Sequence, residues 1–506
     1  MNVAAQLEGL MRRRGWQDRA AFIEGDRRYT HGEIHRLAAL AAANLRARGV
    51  ERGHRVLLAL SDSVGLIASF LGLARIGAVA VTVNPALTAA DHGRIVADSS
   101  PVLIVADTEL LDRSRFDESA SVTPTRLLSG DAGPPAPAPV DVDVDVDDDA
   151  PLYVQYTSGT TGQPKGAVHT HGHLAVYHRC VGQPILETRP DDVILSVSKI
   201  YFAYGLGNTL AFPLFSGASA VLFAARPGPA QVADAVKRHG VTLLFAVPSF
   251  YARLVKECDS ADFATVRATV SAGEGLPVAL GERLNDFLGA PVLEQIGSTE
   301  AGHAFCANSI RANVPGTMGR PVPEFELRLF DSAGRAVPDG TVGELWVRGP
   351  SVMTGYLSGP ADSRRVLADG WLNTRDRAVR NADGTYTHCG RTDDIEVVGG
   401  INVSPTEIES VLSQHPAVRE VAVASVLTSG GATELRAFVV PETADIDVQA
   451  LTTELITLTR ASLTPFKVPK SVHLVAELPR TDTGKLRRFM LRRDAPPSAA
   501  DTSPKD

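Results

Sequence analysis

Residues 156–166 read YTSGTTGQPKG, a loop of glycines, hydroxyl side chains and one lysine that lies between two apolar stretches. Such a loop suits a polyphosphate, because backbone N–H and side-chain O–H groups can donate to phosphate oxygens. The Walker A pattern is excluded, since Gly162 and Lys165 are not adjacent and Gly166 stands where a Ser or Thr is required. A tight turn would use the same residues, so the choice between a phosphate-binding loop and a turn depends on the rest of the sequence.

The length and net charge of the chain limit the classes of protein to which it can belong. With 506 residues it is long enough for more than one domain, since single cores rarely grow past roughly 250 to 300 residues. The net charge of −8 argues against a general binder of nucleic acid or anionic membranes. A short basic group is read as a solvated helix face and comprises Arg487, Arg488, Arg492 and Arg493.

Cysteine spacing and the N-terminus indicate a cytoplasmic protein. The cysteines are scattered without a C-x-x-C pair, which disfavours a disulfide framework and a zinc site. The N-terminal residues lack the pattern of a signal peptide. Residues 64–83 are as long and apolar as a membrane span, but Arg75 and three glycines interrupt them. We predict a buried helix followed by a buried strand there.

Helical and strand patterns alternate along most of the chain, which predicts an α/β fold with parallel sheets covered by helices. We expect a large N-terminal domain over residues 1–392, with a small β-rich subdomain at about 316–392. A small, mobile α+β C-terminal domain follows over 393–495, with a tail at 496–506, and its helix in SPTEIESVLSQHP (404–416) opens with a capping box. The Pro- and Asp-rich residues 130–151 are read as a connector, because they lack the Gly and Glu of a calcium loop.

Six further motifs follow the stretch at 156–166 along the chain and help to interpret it. Downstream of it stand SAGEGLP (271–277), EQIGSTEAG (294–302), LNTRDRA (372–378), YTHCGRTDD (386–394), VVGGINVSPTEIE (397–409) and LPRTDTGKLRR (478–488). Together they resemble the motifs of the adenylate-forming superfamily, which comprises acyl-CoA synthetases, peptide-synthetase adenylation domains and luciferases. The resemblance covers essentially the whole chain and is nearest to benzoate-CoA ligases and other aryl-acid ligases.

The resemblance implies that ATP and Mg²⁺ are cofactors. Glu300 would hold Mg²⁺, Asp376 the ribose hydroxyls, and Thr157 and Lys485 would act with Glu300 in catalysis. Arg375 replaces the glycine that the family usually has before the ribose acid. The full set of implied nucleotide contacts is Thr157, Ser158, Gly159, Thr160, Thr161, Gly162, Lys165, Gly273, Glu274, Glu294, Gln295, Ile296, Gly297, Ser298, Thr299, Asp376, Arg391 and Lys485.

The chemistry agrees with these roles. A carboxylate that approaches a polyanion needs cationic charge between them, which Lys485 and Mg²⁺ would supply, and no general base is required because the nucleophile is already ionised. By the resemblance, Asp393 is the hinge about which the C-terminal domain turns, and Gly399 and Gly400 line the tunnel for the thiol.

The acid pocket implied by the resemblance comprises Tyr201, Ala203, Tyr204, Gly205, Gly297 and His303. No Asp or Glu occurs between Lys199 and Pro213, where relatives that activate amino acids place a partner for the substrate ammonium. We therefore expect an uncharged, aromatic acid, and a β-amino acid stays open. His169, His171 and His173 have the alternate spacing of a zinc site, but a strand that leads into a helix explains them better.

The acceptor thiol is left open between coenzyme A and the phosphopantetheine of an acyl carrier protein. Lys467 and Lys470 are candidates for gripping the 3′-phosphate of coenzyme A. With a carrier protein, the chain would be a stand-alone adenylation enzyme of secondary metabolism. A nucleotide-binding regulatory protein without catalysis is disfavoured, because Lys485, Glu300 and Asp376 are all present. Members of the family occur as monomers and homodimers.

Overall fold

The computed structural model describes residues 1–112, 116, 120–129, 146–158, 164–392, 396–398, 401–427, 433–443, 446–464, 467–480 and 486–493. The chain is divided into two compact units. The first comprises residues 1–328, 346–374 and 383–386, and the second comprises 329–345, 375–382 and 387–506. Within the described ranges, no helix is both long enough and apolar enough to cross a membrane.

The elements before the Pro- and Asp-rich stretch are α1 (Val3–Arg14), β1 (Ala20–Glu24), β2 (Arg27–Thr30), α2 (His31–Ala47), β3 (Arg55–Ala59), α3 (Val64–Arg75), β4 (Val79–Val83), α4 (Ala89–Ser99), β5 (Leu103–Ala106), α5 (Thr108–Asp112), β6 (Ser121–Val122) and α6 (Pro124–Ser129). After it come β7 (Pro151–Ser158), β8 (Pro164–Thr170), α7 (His173–Tyr177), β9 (Val193–Ser196), α8 (Ala203–Gly205), α9 (Phe212–Ser216), β10 (Ser219–Leu222), α10 (Pro229–His239), β11 (Leu243–Ala246), α11 (Pro248–Glu257), β12 (Ala268–Ser271), α12 (Val278–Leu288), β13 (Val292–Gly297), β14 (Ala304–Ala307) and β15 (Arg320–Pro321).

Short strands dominate the next part of the chain, with β16 (Glu326–Phe330), β17 (Gly343–Arg348), β18 (Gly355–Tyr356), α13 (Pro360–Val366), β19 (Leu367–Ala368), β20 (Trp371–Arg380) and β21 (Tyr386–Arg391). The last elements are β22 (Glu396–Val398), β23 (Ile401–Val403), α14 (Pro405–Leu412), β24 (Val418–Leu427), β25 (Thr433–Pro441), α15 (Val448–Ser462), β26 (Ser471–Leu474) and α16 (Arg488–Arg493).

A seven-stranded sheet in the order β18-β8-β7-β4-β3-β5-β6 forms part of the first unit. Strands β3 to β7 pair in parallel, whereas β7, β8 and β18 pair antiparallel. Residues 64–83 form a buried helix and then a buried strand, as predicted. Arg75 is tolerated in this helix, although only 4% of it is exposed, because Glu8 pairs with it at 2.7 Å.

A nine-stranded sheet has the order β15-β14-β13-β12-β11-β9-β10-β1-β2. Within this order, the neighbouring strands from β13 through β12, β11, β9 and β10 to β1 all pair in parallel. Their sequences are mostly apolar, as is usual for parallel strands that are buried on both faces. Helix α2, which follows the edge strand β2, begins with a capping box between Thr30 and Glu33. The predicted alternation of helices and parallel strands is therefore confirmed.

The second unit contains the three-stranded sheet β24-β25-β26, packed with α14 and α15 around Ile408, Leu451 and Leu455. Helix α15 begins after Asp447, whose side chain accepts from the backbone N–H groups of Gln449 and Ala450. The predicted capping box at Ser404 is wrong, because that side chain makes no cap bond and its hydroxyl donates to the Cys389 carbonyl at 3.5 Å.

Candidate active site

The two ends of the stretch at 156–166 belong to a pair of antiparallel strands. Strand β7 ends at Ser158 and β8 begins at Pro164, with Thr157 opposite Lys165. The predicted phosphate-binding residues Gly159, Thr160, Thr161 and Gly162 lie outside the described residues. The two paired strands therefore set the position at which the loop leaves the sheet and returns to it.

Packing around this hairpin requires glycine at position 166. A Cβ there would lie 2.7 Å from Val154 Cγ1 and 3.0 Å from Tyr156 Cζ, closer than real Cβ contacts. The Tyr156 hydroxyl in turn donates to Asp98 of α4 at 2.5 Å. Burial and this carboxylate raise the pKa of Tyr156, so the phenol stays protonated and holds the base of the hairpin against α4.

Lys165 already has anionic and aromatic neighbours. Its Nζ lies 3.0 Å from Asp362 of α13 and 5.5 Å from the centroid of the Tyr356 ring. The ammonium is thus held at the base of the predicted phosphate loop, where the resemblance places a contact with phosphate.

The predicted metal ligand Glu300 lies in the turn after β13. Its Oε1 accepts a hydrogen bond from the Tyr356 hydroxyl at 2.8 Å. Its own backbone carbonyl and that of the next residue are also held: Glu300 O accepts from Met353 N at 2.7 Å, and Ala301 O accepts from the Ser351 hydroxyl at 2.8 Å. The turn that carries the carboxylate is therefore fixed by residues 351–356.

Buried histidines hold the same turn from the side of β8. His169 Nε2 lies 2.8 Å from Thr299 O, and His169 Nδ1 lies 2.9 Å from His173 Nδ1. Burial lowers the pKa of His169 to about 3, so the ring is neutral and has one N–H. Since a carbonyl only accepts, that proton is on Nε2. His171 instead accepts from Val3 N at 3.2 Å.

The predicted adenine-side residues lie at the ends of neighbouring parallel strands. Gly273 follows β12 with φ +87°, and the Glu274 carboxylate next to it accepts from the amide and hydroxyl of Ser249 at 3.1 Å each. The adjacent strand β13 carries Glu294, Gln295, Ile296 and Gly297, and the turn after it begins with Ser298. A carboxylate at the start of α11 is favoured by the helix dipole, so Glu274 has a structural role in that helix as well.

Part of the predicted acid pocket comes together around His303. Tyr204 lies 6.2 Å from it between ring centroids, and a Cβ on Gly297 would lie 2.5 Å from its carbonyl oxygen. His303 is 3% exposed, and burial lowers its pKa to about 3, so it is neutral. Its Nε2 lies 3.2 Å from Asn208 Oδ1, a neighbour that the sequence patterns do not identify.

Three other predicted pocket residues lie on the segment before α9. Ala203 and Gly205 form α8, and a Cβ on Gly205 would lie 2.0 Å from Lys199 O, so glycine is needed there for close backbone approach. Tyr201 makes an edge contact with Phe202 at 4.7 Å between centroids. The structure thus joins Tyr204, Gly297 and His303 directly, while Tyr201 contacts a neighbour in its own segment.

The predicted ribose acid Asp376 lies in the second unit on β20. It is 5% exposed, and its Oδ1 lies 3.3 Å from Arg391 Nη1 and 3.4 Å from His388 Nε2. Arg375, which stands in place of the usual glycine, has φ +61°. The left-handed conformation that favours glycine is therefore present in this chain despite the arginine.

Several predicted residues of the second unit lie outside the described residues, namely Lys485, Asp393, Gly399 and Gly400. Of the two lysines considered for coenzyme A, Lys467 donates to both oxygens of Glu407 at 2.6 Å. Its charge is therefore already paired with a carboxylate in this structure.

The donor set at Glu300 fits a magnesium ion bound with a nucleotide. Mg²⁺ prefers oxygen ligands and is held by one or two carboxylates together with substrate phosphates. A carboxylate oxygen has further lone pairs, so the bond from Tyr356 leaves acceptor capacity at Glu300. Among the described residues no group of three or more His, Cys, Asp or Glu could hold a metal ion.

Comparisons with known proteins show the family of the chain. Residues 11–357 match the family described as AMP-binding enzyme, and residues 407–485 match its C-terminal domain. The chain is 40% identical over 98% of its length to a p-hydroxybenzoic acid–AMP ligase of Mycobacterium tuberculosis, of which it covers 69%. It is 37% identical over 93% of its length to a 4-hydroxybenzoate–CoA/benzoate–CoA ligase of Rhodopseudomonas palustris, of which it covers 90%.

Solved structures give the same result. A benzoate CoA ligase from Burkholderia xenovorans matches 97% of this chain and 100% of its own with 35% identity and a TM-score of 0.89. The anthranilate CoA ligase AuaEII in complex with anthranoyl-AMP matches 97% of both chains with 31% identity and a TM-score of 0.91. These similarities confirm the predicted superfamily, fold class and enzyme class. The protein belongs to the AMP-binding enzyme family.

Proposed function

We propose that the protein is an ATP-dependent aryl-acid ligase that forms an acyl-adenylate, releases pyrophosphate and transfers the acyl group to coenzyme A. The observation that supports the proposal best is the joint contact of Glu300 and Lys165 with Tyr356, because the carboxylate proposed to bind magnesium and the ammonium proposed to bind phosphate share one neighbour. The similar proteins act on benzoate, hydroxybenzoate or anthranilate.

In the proposed mechanism, the residues of the chain bind and orient two anions. Lys165 and the hairpin loop hold the β- and γ-phosphates, and Asp376 with Arg391 holds the ribose. Lys485 stabilises the charge that develops when the carboxylate oxygen attacks the α-phosphate. Mg²⁺, held by Glu300, would neutralise charge on the leaving pyrophosphate. The substrate is already ionised, so none of these residues has to remove a proton.

The environment of His303 supports an uncharged aromatic ring as the acid. His303 is neutral and lies within 6.2 Å of Tyr204 and 5.1 Å of Phe212 between ring centroids. A substrate ammonium would need a carboxylate partner, because an unpaired buried charge is costly. Between Lys199 and Pro213 the sequence has no Asp or Glu, so we propose benzoates ahead of β-amino acids.

Coenzyme A is proposed as the acceptor because the R. palustris and B. xenovorans proteins are CoA ligases. The M. tuberculosis relative is an AMP ligase, so release of acyl-adenylate without a thioester is the competing outcome. A cytoplasmic location, where ATP and coenzyme A are available, belongs to the same proposal.

Pyrophosphate release with a panel of benzoates, hydroxybenzoates and β-amino acids tests the proposal. We expect benzoates to give the fastest release and mass spectrometry to find acyl-CoA when coenzyme A is present. Lys485→Ala should lower the rate by about 100- to 1000-fold, while the exposed Lys237→Ala leaves it unchanged. Equal rates in Lys485→Ala and wild type would contradict the mechanism, and faster release with β-amino acids would contradict the choice of substrate.

A further inference from the structure

We propose that Tyr356 is a positioning residue for nucleotide binding, which fixes the Glu300 carboxylate through its hydroxyl and receives the Lys165 ammonium over its ring. The inference rests on the proposed function, in which Glu300 binds the metal and Lys165 binds the phosphates. It adds a residue from a separate part of the chain, since Tyr356 and Glu300 are 56 positions apart.

The backbone of Tyr356 is held by the same hairpin that carries the phosphate loop. Strand β18 pairs with β8, with Tyr356 opposite Ala167 and Gly355 opposite Val168. Immediately after Tyr356 in the chain, Leu357 N donates to Gly166 O at 2.8 Å. The tyrosine therefore extends from a backbone whose register with the phosphate hairpin is fixed.

The residues that precede Tyr356 in the chain bind the turn that carries Glu300. Met353 N and the Ser351 hydroxyl donate to the carbonyls of Glu300 and Ala301. Residues 351–357, which we name the bridging segment, thus bind the phosphate hairpin and the metal-ligand turn at once. A side chain in this segment is placed to relate the two sites to each other.

The charges explain what Tyr356 contributes. Lys165 is paired with Asp362, and Glu300 accepts from Tyr356, so each charged group has a partner in the region after residue 350. A hydroxyl that donates to a carboxylate orients it without neutralising its charge, which an ammonium would do. Glu300 can therefore keep both its direction and its negative charge for a cation.

Calorimetric titration with Mn²⁺–ATP tests this role. Tyr356→Phe removes the hydroxyl and keeps the ring, and we expect it to weaken Mn²⁺–ATP binding by about 10- to 100-fold, as for other residues that orient a metal ligand. Binding of ATP in EDTA should stay at the wild-type value, because the metal-independent contacts are kept. In pyrophosphate release, the KM for Mg²⁺ should rise while excess Mg²⁺ restores kcat.

The matched control is Tyr29→Phe, which removes the same hydroxyl from the edge strand β2 and should bind Mn²⁺–ATP as wild type does. Unchanged Mn²⁺–ATP affinity in Tyr356→Phe would overturn the proposal, and so would an equal loss of affinity with and without metal, which would indicate a merely structural role. Failure of the wild-type protein to bind Mn²⁺–ATP would instead refute the proposed function.

Discussion

Arg375 adopts a conformation that arginine disfavours. Its φ of +61° lies in the left-handed region, inside strand β20 and directly before Asp376. For an L-residue with a side chain this region costs about 1–2 kcal/mol. The backbone before Asp376, the predicted ribose acid, is therefore strained in this chain, and the surrounding strand maintains the strained conformation.

We expect Arg375→Gly to raise the free energy of unfolding by about 1 kcal/mol, because glycine adopts a positive φ without a steric penalty. Urea denaturation measures this change in the free energy of unfolding. The control is Arg377→Gly, two positions along the same strand, where φ is not positive and glycine should lower stability by about 0.5–1 kcal/mol. A loss of stability in both variants would show that the side chain of Arg375 contributes more than the strain removes.

At the scale of elements, the segment that leads from β9 into α8 depends on a buried ion pair. Lys199 Nζ lies 3.8 Å from Asp62 Oδ2 and donates to the carbonyls of Phe223 and Ala225, while Ile200 N donates to Asp62 Oδ1 at 3.0 Å. Burial raises the pKa of Asp62 to about 6 and lowers that of Lys199. The pair fixes the start of the segment that carries the predicted acid pocket.

Lys199→Met should lower the free energy of unfolding by about 3–5 kcal/mol, because it leaves the Asp62 carboxylate buried without a cation. The double variant Lys199→Met/Asp62→Asn should recover part of the loss, since no buried charge remains. Chemical denaturation compares them with Lys237→Met, whose exposed pair with Asp262 should be worth about 0–1 kcal/mol. Equal stability of the single and double variants would contradict the electrostatic explanation.

At the scale of the molecule, the first unit buries many histidines that burial keeps neutral. The pKa is lowered to about 3 for His169 and His303, and to about 4 for His31, His35, His171, His173 and His178. An unfolded histidine titrates near 6.5. Their contribution to stability is therefore complete above about pH 6.5 and is lost as the pH falls toward 4, because the unfolded chain then binds more protons than the native one.

We expect the free energy of unfolding to fall steeply below about pH 6.5, since each such histidine costs about 1.4 kcal/mol per pH unit. Denaturation between about pH 7.5 and 4.5 measures the slope. In His178→Gln, proton uptake on unfolding near pH 5.5 should be smaller by about one. Constant stability down to about pH 5 would contradict the prediction.

Much of the site can be predicted because its motifs are local. The hairpin at 156–166, the turn with Glu300 and the strand with Asp376 each consist of consecutive residues, so their spacing is readable along the chain. The capping box expected at Ser404 is wrong for the opposite reason: its hydroxyl finds the Cys389 carbonyl, 15 positions away, and a local pattern contains no information on that competitor.

The amino-acid sequence by itself determined the family, the alternation of helices with parallel strands, and the residues that we predict to bind phosphate, metal and ribose. The tertiary structure decided which side chains complete the site. Tyr356 meets Glu300 across 56 positions, and His169 meets Thr299 across 130. These contacts arise because sheet pairing and close packing bring distant segments together, and neither partner has a local pattern that identifies the other.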